Sequence, residues 1–236
     1  MTDTNRLGLP LVAPSQSQKH VTVNESLVRL DALVQLTLTT EGEQSPPGTP
    51  VEGDVHSVGA GATGDWLGED GRLAIFVNGG WAFATPSVGW QGWSDASGSR
   101  VSFDGVGWEP GAGSFSPNGA GFVHRTVEVD HVVGAGATST VTDLLPEGSI
   151  VYGLTARVLS PIGGPSSMEI GVGGASNRYG SGIGTTTGAW ARGITGSPLT
   201  YYAATDVILG AEGGTFDGTG VLRIAAHVAE LTLPRL

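Results

Sequence analysis

Tight-turn dipeptides constrain this chain more than any other feature. Asp70-Gly71, Asn78-Gly79, Asp104-Gly105, Asn118-Gly119 and Asp217-Gly218 recur along it. Such pairs tolerate the positive φ of two-residue hairpins. Between them lie short apolar or alternating runs: Leu73–Val77, Trp81–Ala84 and Arg100–Phe103. Longer runs follow at Phe122–Val133, Ser149–Leu159, Ser167–Val172, Leu199–Ala204, Asp206–Ala211 and Val221–Leu231. Glycine supplies 40 of 236 residues, more than twice the usual share of roughly 7%. Strands at such spacing, broken by Gly-rich turns and without helices, predict a mainly β chain ending in a jelly-roll-like β-sandwich. In the last run Leu222, Ile224, Ala226 and Val228 alternate with Val221, Arg223, Ala225 and His227, so one face is distinctly more apolar.

One helix is predicted, over Val21–Leu36. Thr22 and Glu25 fit a capping box, although Ser26 is polar where a staple would be apolar. Val23, Leu27, Leu30 and Val34 recur at helical spacing, with Asn24, Arg29 and Asp31 off that stripe. An isolated helix of about 15 residues is marginal in water. Two readings follow: the stripe packs on the chain's own β-domains, or copies pack on one another around a symmetry axis.

Composition divides the remainder. Residues 1–20 are polar and read as an extended arm, with Pro10 and Pro14, which deny a helix; with the helix they form an N-terminal segment, 1–40. Residues 41–53, rich in Pro, Gly and Glu, read as a linker, and Gly-rich 111–121 as a second. Between them, 54–110 is a small Trp-rich β-module, and 122–236 is the sandwich.

Several functions are excluded by composition. Lys+Arg 11 against Asp+Glu 22 gives a formal charge of −11, which argues against a nucleic-acid partner. No run of about 18 apolar residues predicts membrane insertion, and the start, Met1-Thr-Asp-Thr-Asn5, has no secretory h-region. With no Cys there is no disulfide and no thiolate site, which suits a protein made in a cytoplasm and later exposed outside and, on composition alone, suits a plain cytosolic protein better. The His residues show no zinc spacing, and there is no calcium loop and no G-x-S-x-G elbow. The expectation is no metal, no cofactor and no enzyme activity. Gly59-Ala-Gly-Ala-Thr-Gly64 matches G-x-G-x-x-G, but the acidic Asp65-Trp66-Leu67-Gly68-Glu69-Asp70 that follows cannot open a long helix over a phosphate.

Trp66, Trp81, Trp90, Trp93 and Trp108 crowd the small module. Large rings fill a small core, and that accounts for most of them. Gly89-Trp-Gln-Gly-Trp93 is turn-like, so Trp90 and Trp93 read as exposed rings suited to stacking on sugars. Trp81, Trp90, Trp93 and Trp108 are the candidate carbohydrate-binding residues.

The opening Leu9-Pro-Leu11, Pro14-Ser-Gln16, Gln18-Lys-His-Val-Thr22, Asn24-Glu25 and Leu30-Asp-Ala-Leu-Val34 resembles a family of uncharacterised proteins of alphaproteobacterial prophages and gene transfer agents, found as tail fibres and capsid head spikes. Gly-Ala-Thr-Gly-Asp-Trp66 and Gly79-Gly-Trp81 resemble its small β-module. Asn177-Arg-Tyr-Gly-Ser-Gly-Ile-Gly184, Tyr202-Ala-Ala-Thr-Asp-Val207 and Gly213-Gly-Thr-Phe216 resemble the C-terminal β-domain of some members. The resemblance implies a virion-borne fibre or spike subunit, a homotrimer held by Val23, Leu27, Leu30 and Val34. Residues 1–40 would contact other virion proteins, spike base, capsid or baseplate, and the β-domains would bind host capsular polysaccharide. The net charge favours neutral sugars. A purely structural virion component and a capsule-degrading or deacetylating enzyme are the alternatives, the second disfavoured because too little chain follows Gly121 for a long β-helix.

Overall fold

A computed structural model describes residues 3–12 and 19–236, without the side chains of Lys19, His20 and Thr22. Pro14, Gln16, Gln18 and the Thr22 half of the capping box therefore lie outside the described residues. The chain divides into two compact units, Met1–Pro117 and Asn118–Leu236.

The first unit contains α1 (Lys19–Val34), placed two residues earlier than its apolar spacing suggests. The chain then passes into two sheets in succession. β1 (Thr37–Leu38) joins β6 (Gln91–Ser94), β7 (Ser99–Phe103) and β8 (Trp108–Pro110). β2 (Thr40–Glu43) joins β3 (Val55–Val58), β4 (Leu73–Val77) and β5 (Gly80–Ala84). β1 pairs with β6, and β2 with β3, in parallel. The 41–53 linker is thus corrected: its first residues are a ladder strand, because parallel pairing brings Thr40 opposite His56 and Glu43 opposite Val58. Likewise 111–121 contains β9 (Ala112–Phe115), and the unit boundary falls within it.

Strand β4 is apolar throughout because both its faces are covered. Leu73 and Ile75 join Leu36, Leu38, Val55, Val101, Phe103 and Trp108 in one core, while Ala74 lies with Val58 and Trp66 in another. Asn78 (φ 51°) and Gly79 (φ 74°) form the two-residue turn from β4 to β5, pairing Val77 with Gly80, as an Asn-Gly pair at a primed turn should.

Residues 3–12 do not form the extended arm expected of them. Thr4 N donates to Leu9 O at 2.9 Å and Asp3 bridges Pro10, closing a turn. The carboxylate of Asp31, 4% exposed, receives Thr4 Oγ1 at 2.6 Å, Leu7 N at 2.6 Å and Arg6 N at 2.8 Å. Arg6 continues to Gly53 O and Thr37 O. The turn is clamped to its own helix by a buried anion.

The second unit is an eight-stranded sandwich. β10 (Gly121–Val132), β17 (Val221–Leu231), β12 (Ser149–Ser160) and β15 (Trp190–Tyr201) neighbour one another in that order. β11 (Thr138–Leu145), β16 (Thr205–Glu212), β13 (Ser167–Val172) and β14 (Ala175–Ile183) form the other sheet. Every pairing recorded between them is antiparallel. The first strand lies beside the last, and successive strands cross between sheets except β13 and β14, which pair as a hairpin within one sheet: the winding of a jelly roll. Strands β11 and β14 were not expected from sequence, and the run Leu199–Ala204 is only the end of β15 with its turn. Leu222, Ile224, Ala226 and Val228 enter the core with Val151, Leu154, Met168, Ile170 and Leu209, as the alternation predicts.

Candidate functional site

The outward face of the β10-β17-β12-β15 sheet is set by the same alternation that fills the core. Because β17 sends its even-numbered side chains inward, Arg223, Ala225 and His227 face the other way. Cross-strand partners share a face, so register assembles two rows. One runs Trp190, Arg157, Arg223, Asp130; the next runs Arg192, Thr155, Ala225, Glu128. All of these except Asp130 line an open groove of about 350 Å³.

Its electrostatics are uneven. Arg223 binds Asp130 bidentately, at 2.6 and 2.7 Å, and lies 3.6 Å from Glu128. The bonds from Arg223 hold the Asp130 carboxyl below its usual range and push the guanidinium up. Among the described residues, Arg157 and Arg192 have no carboxylate partner. Arg192 lies over the Trp190 ring, its Cζ 5.9 Å from the centroid. Trp190 is 62% exposed. Thr155 Oγ1 meets His227 Nε2 at 2.9 Å. The groove offers an aromatic surface, two uncompensated cations and a carboxylate.

The tryptophans singled out from sequence are placed differently. Trp108 is 7% exposed and packs on Phe103, 5.4 Å between centroids. It is a core residue with no ring face for a sugar. Trp81 is half-buried, edge-on to Trp66 at 5.0 Å and tilted on Phe76 at 4.9 Å. Trp90 is half-buried against the main core of the first unit, which corrects its reading as an exposed ring. Gln91–Ser94 is a strand, so its alternation sends Trp93 outward, 48% exposed. Trp190 was missed because it stands outside the Trp-rich segment. The signal was the alternation of Trp190, Arg192 and Ile194 with small Ala191 and Gly193.

Two other features are accounted for locally. In the Gly59–Gly64 loop, the Gly61 and Ala62 amides donate to Asp70 at 3.1 and 2.9 Å. Those bonds lower the Asp70 carboxyl's pKa; the Gly59 and Thr63 amides donate to Glu43 O and Gln44 O, and only the three-residue 3-10 turn Gly64–Trp66 follows, so most of the loop's donors are already taken. The stripe on α1 faces outward: Val23, Leu30 and Val34 are 44%, 51% and 57% exposed, and Leu27 is half-buried. The packed positions are Asp31 and Ala32, so the reading in which the stripe covers its own β-domains is corrected. Among the described residues no three His, Asp or Glu side chains gather as a metal site, and no helix is long and apolar enough to cross a membrane.

The second unit is therefore a jelly roll with an aromatic and arginine-lined outer face. Residues 23–109, in the first unit, match a family described as a protein of unknown function (DUF2793). Among solved structures, a chain described as "Cyanophage Pam1 capsid asymmetric unit" is 22% identical. The match covers 50% of this chain and 91% of that one, with a TM-score of 0.35. No curated protein matches.

Proposed function

We propose that the chain is a fibre or spike subunit of a phage-like particle, external on the virion, that adsorbs to host cells by binding capsular polysaccharide. It acts by binding, without catalysis, and needs no cofactor. The groove bearing Trp190 carries this reading. An exposed indole offers a flat apolar face to a sugar ring, and the polar side chains around it suit hydroxyls. The N-terminal resemblance to prophage and gene-transfer-agent proteins supports the particle context. The outward stripe of Val23, Leu27, Leu30 and Val34 supports a homotrimer, in which weak sites gain strength by multivalency. Virion neighbours would meet the helix segment of residues 1–40.

Purified protein of measured mass, applied to capsulated cells and an isogenic acapsular strain, tests this. The expected mass is three chains of 23.9 kDa, reduced to one chain by Leu30→Glu/Val34→Glu. Binding is expected on capsulated cells alone, and Trp190→Ala is expected to weaken it at least tenfold. Equal or absent binding to both strains by a folded trimer would overturn the adhesin reading in favour of a purely structural component.

A further inference from the structure

We infer that the groove takes an acidic saccharide, with a uronate-type carboxylate held by Arg157 and Arg192 and a sugar ring against Trp190. The inference rests on the saccharide reading and departs from the neutral sugar that net charge suggests. Net charge governs long-range steering. At physiological ionic strength, charges more than about 8 Å from the ligand are screened, so the groups in the groove decide. Three of the chain's 11 basic residues fall on its two adjacent rows. Arg223 is compensated by Asp130 and Glu128; Arg157 and Arg192 have no carboxylate partner among the described residues.

Register places Arg157 opposite Trp190 and Arg192 two residues farther along the same strand. The two arginines are thus diagonal neighbours, with Cα atoms about 7–8 Å apart, within joint reach of one carboxylate. A guanidinium presents a planar fork matched to carboxylate, and the contact of Arg192 with Trp190 orders a donor and a stacking surface together. Glu128, which Arg223 meets only at 3.6 Å, supplies an acceptor for hydroxyls. A polyol bearing one carboxylate per residue matches all three parts. A run of nucleic-acid phosphates would meet Glu128 and Asp130 beside the arginines.

The test is titration of the full chain with uronate oligosaccharides (glucuronate, galacturonate, mannuronate and guluronate series), each beside its carboxyl-reduced neutral counterpart. At least one uronate is expected to bind tenfold or more tightly than its reduced form. Arg157→Gln/Arg192→Gln is expected to bring that ratio near one, while Trp190→Ala weakens both members about tenfold. All these side chains are exposed, and unchanged thermal melts confirm the fold. Neutral members binding as tightly, with Trp190 still required, would overturn the acidic class and leave the saccharide reading standing. No binding to any member would overturn both. Tighter binding of a single-stranded oligonucleotide would overturn the inference, as would a changed oligomeric mass in Arg157→Gln/Arg192→Gln, which would make this face a contact between copies.

Discussion

Asp31→Ala removes the anion that holds residues 3–12 on the helix. Three donors converge on that carboxylate: Thr4 Oγ1, Leu7 N and Arg6 N, at 2.6, 2.6 and 2.8 Å. Burial opposes its ionisation. The bonds from Thr4, Leu7 and Arg6, with the Arg6 charge, outweigh burial and hold its pKa below the ordinary value. Hydrogen bonds to a charged group are worth about 1.5–3 kcal/mol each. They do not add here, because a released segment rehydrates its own donors. The loss is then bounded by the docking of the segment, about 3 kcal/mol. At about 4 °C per kcal/mol for a unit near 100 residues, the midpoint falls by about 12 °C. Five of the six tryptophans lie in residues 1–117, so indole fluorescence follows this unit. Hydrogen exchange gives a second readout, since the Arg6 and Leu7 amides should lose protection. Asp31→Asn, which keeps one acceptor oxygen, should fall between wild type and alanine. The pH dependence has a definite sign. With the folded pKa lowered, the carboxylate's contribution is complete above its unfolded value of about 3.9 and is lost as pH falls through the folded value. A shift under about 2 °C with both amides still protected would refute the clamp.

Two further predictions concern the cores. His56, 3% exposed, has its ring 5.5 and 5.7 Å from those of Trp66 and Trp81, centroid to centroid, and its Nε2 has no partner among the described residues. Burial lowers its pKa against the pull of Asp54 and Glu43. The unfolded chain therefore takes up a proton that the folded one refuses, and stability falls as pH drops below about 6.5. Comparing fluorescence-detected midpoints at high and low pH checks this: His56→Gln should lose less on acidification, and an equal loss would contradict it. In the sandwich, a Cβ on Gly193 would sit 2.1 Å from the backbone oxygen of Tyr179, so Gly193→Ala should cost about 1–3 kcal/mol. Calorimetry of the second unit's transition should show this, and an unshifted midpoint would mean that β14 and β15 yield freely.

The sequence made the sandwich legible and the first unit much less so. Strand β17 announced its own orientation, since Leu222, Ile224, Ala226 and Val228 can be buried together only on one face. Asn78-Gly79 fixed a hairpin because few other pairs tolerate two successive positive φ values. By contrast, β1 and β2 are parallel pairings of very short segments with strands far along the chain. No local period encodes such a partner, and the proline-rich composition after Glu43 concealed the ladder before it. Asp31 was placed off the apolar stripe of α1 by its spacing, and aspartate is seldom buried. Its burial follows from donors some 25 residues earlier, which a helical wheel does not contain. The apolar stripe was read correctly as a stripe, but a second set of positions, centred on Asp31 and Ala32, took the packed face.

The tryptophans show the same division between local and long-range information. Crowding in residues 66–108 was a sound sign of aromatic core, and burial of Trp66 and Trp108 follows from it. It was a poor sign of a binding face, because rings close in sequence compete to be buried in one small unit. Trp190 has no aromatic neighbour in sequence, and the inward positions beside it in its strand are Ala191 and Gly193. Nothing draws it inward, and the partners that give it chemical meaning, Arg157 and Arg223, arrive from two other strands. Jelly-roll winding supplies that meeting, since it places β12 between β15 and β17 whatever the outward residues are. The core constrains only the inward half of each strand. The outward half is free to vary, and on this sheet it carries two arginines without carboxylate partners among the described residues, in a chain of net charge −11. Folding alone does not require them, which is why this face, rather than the tryptophan-rich unit, carries the binding argument.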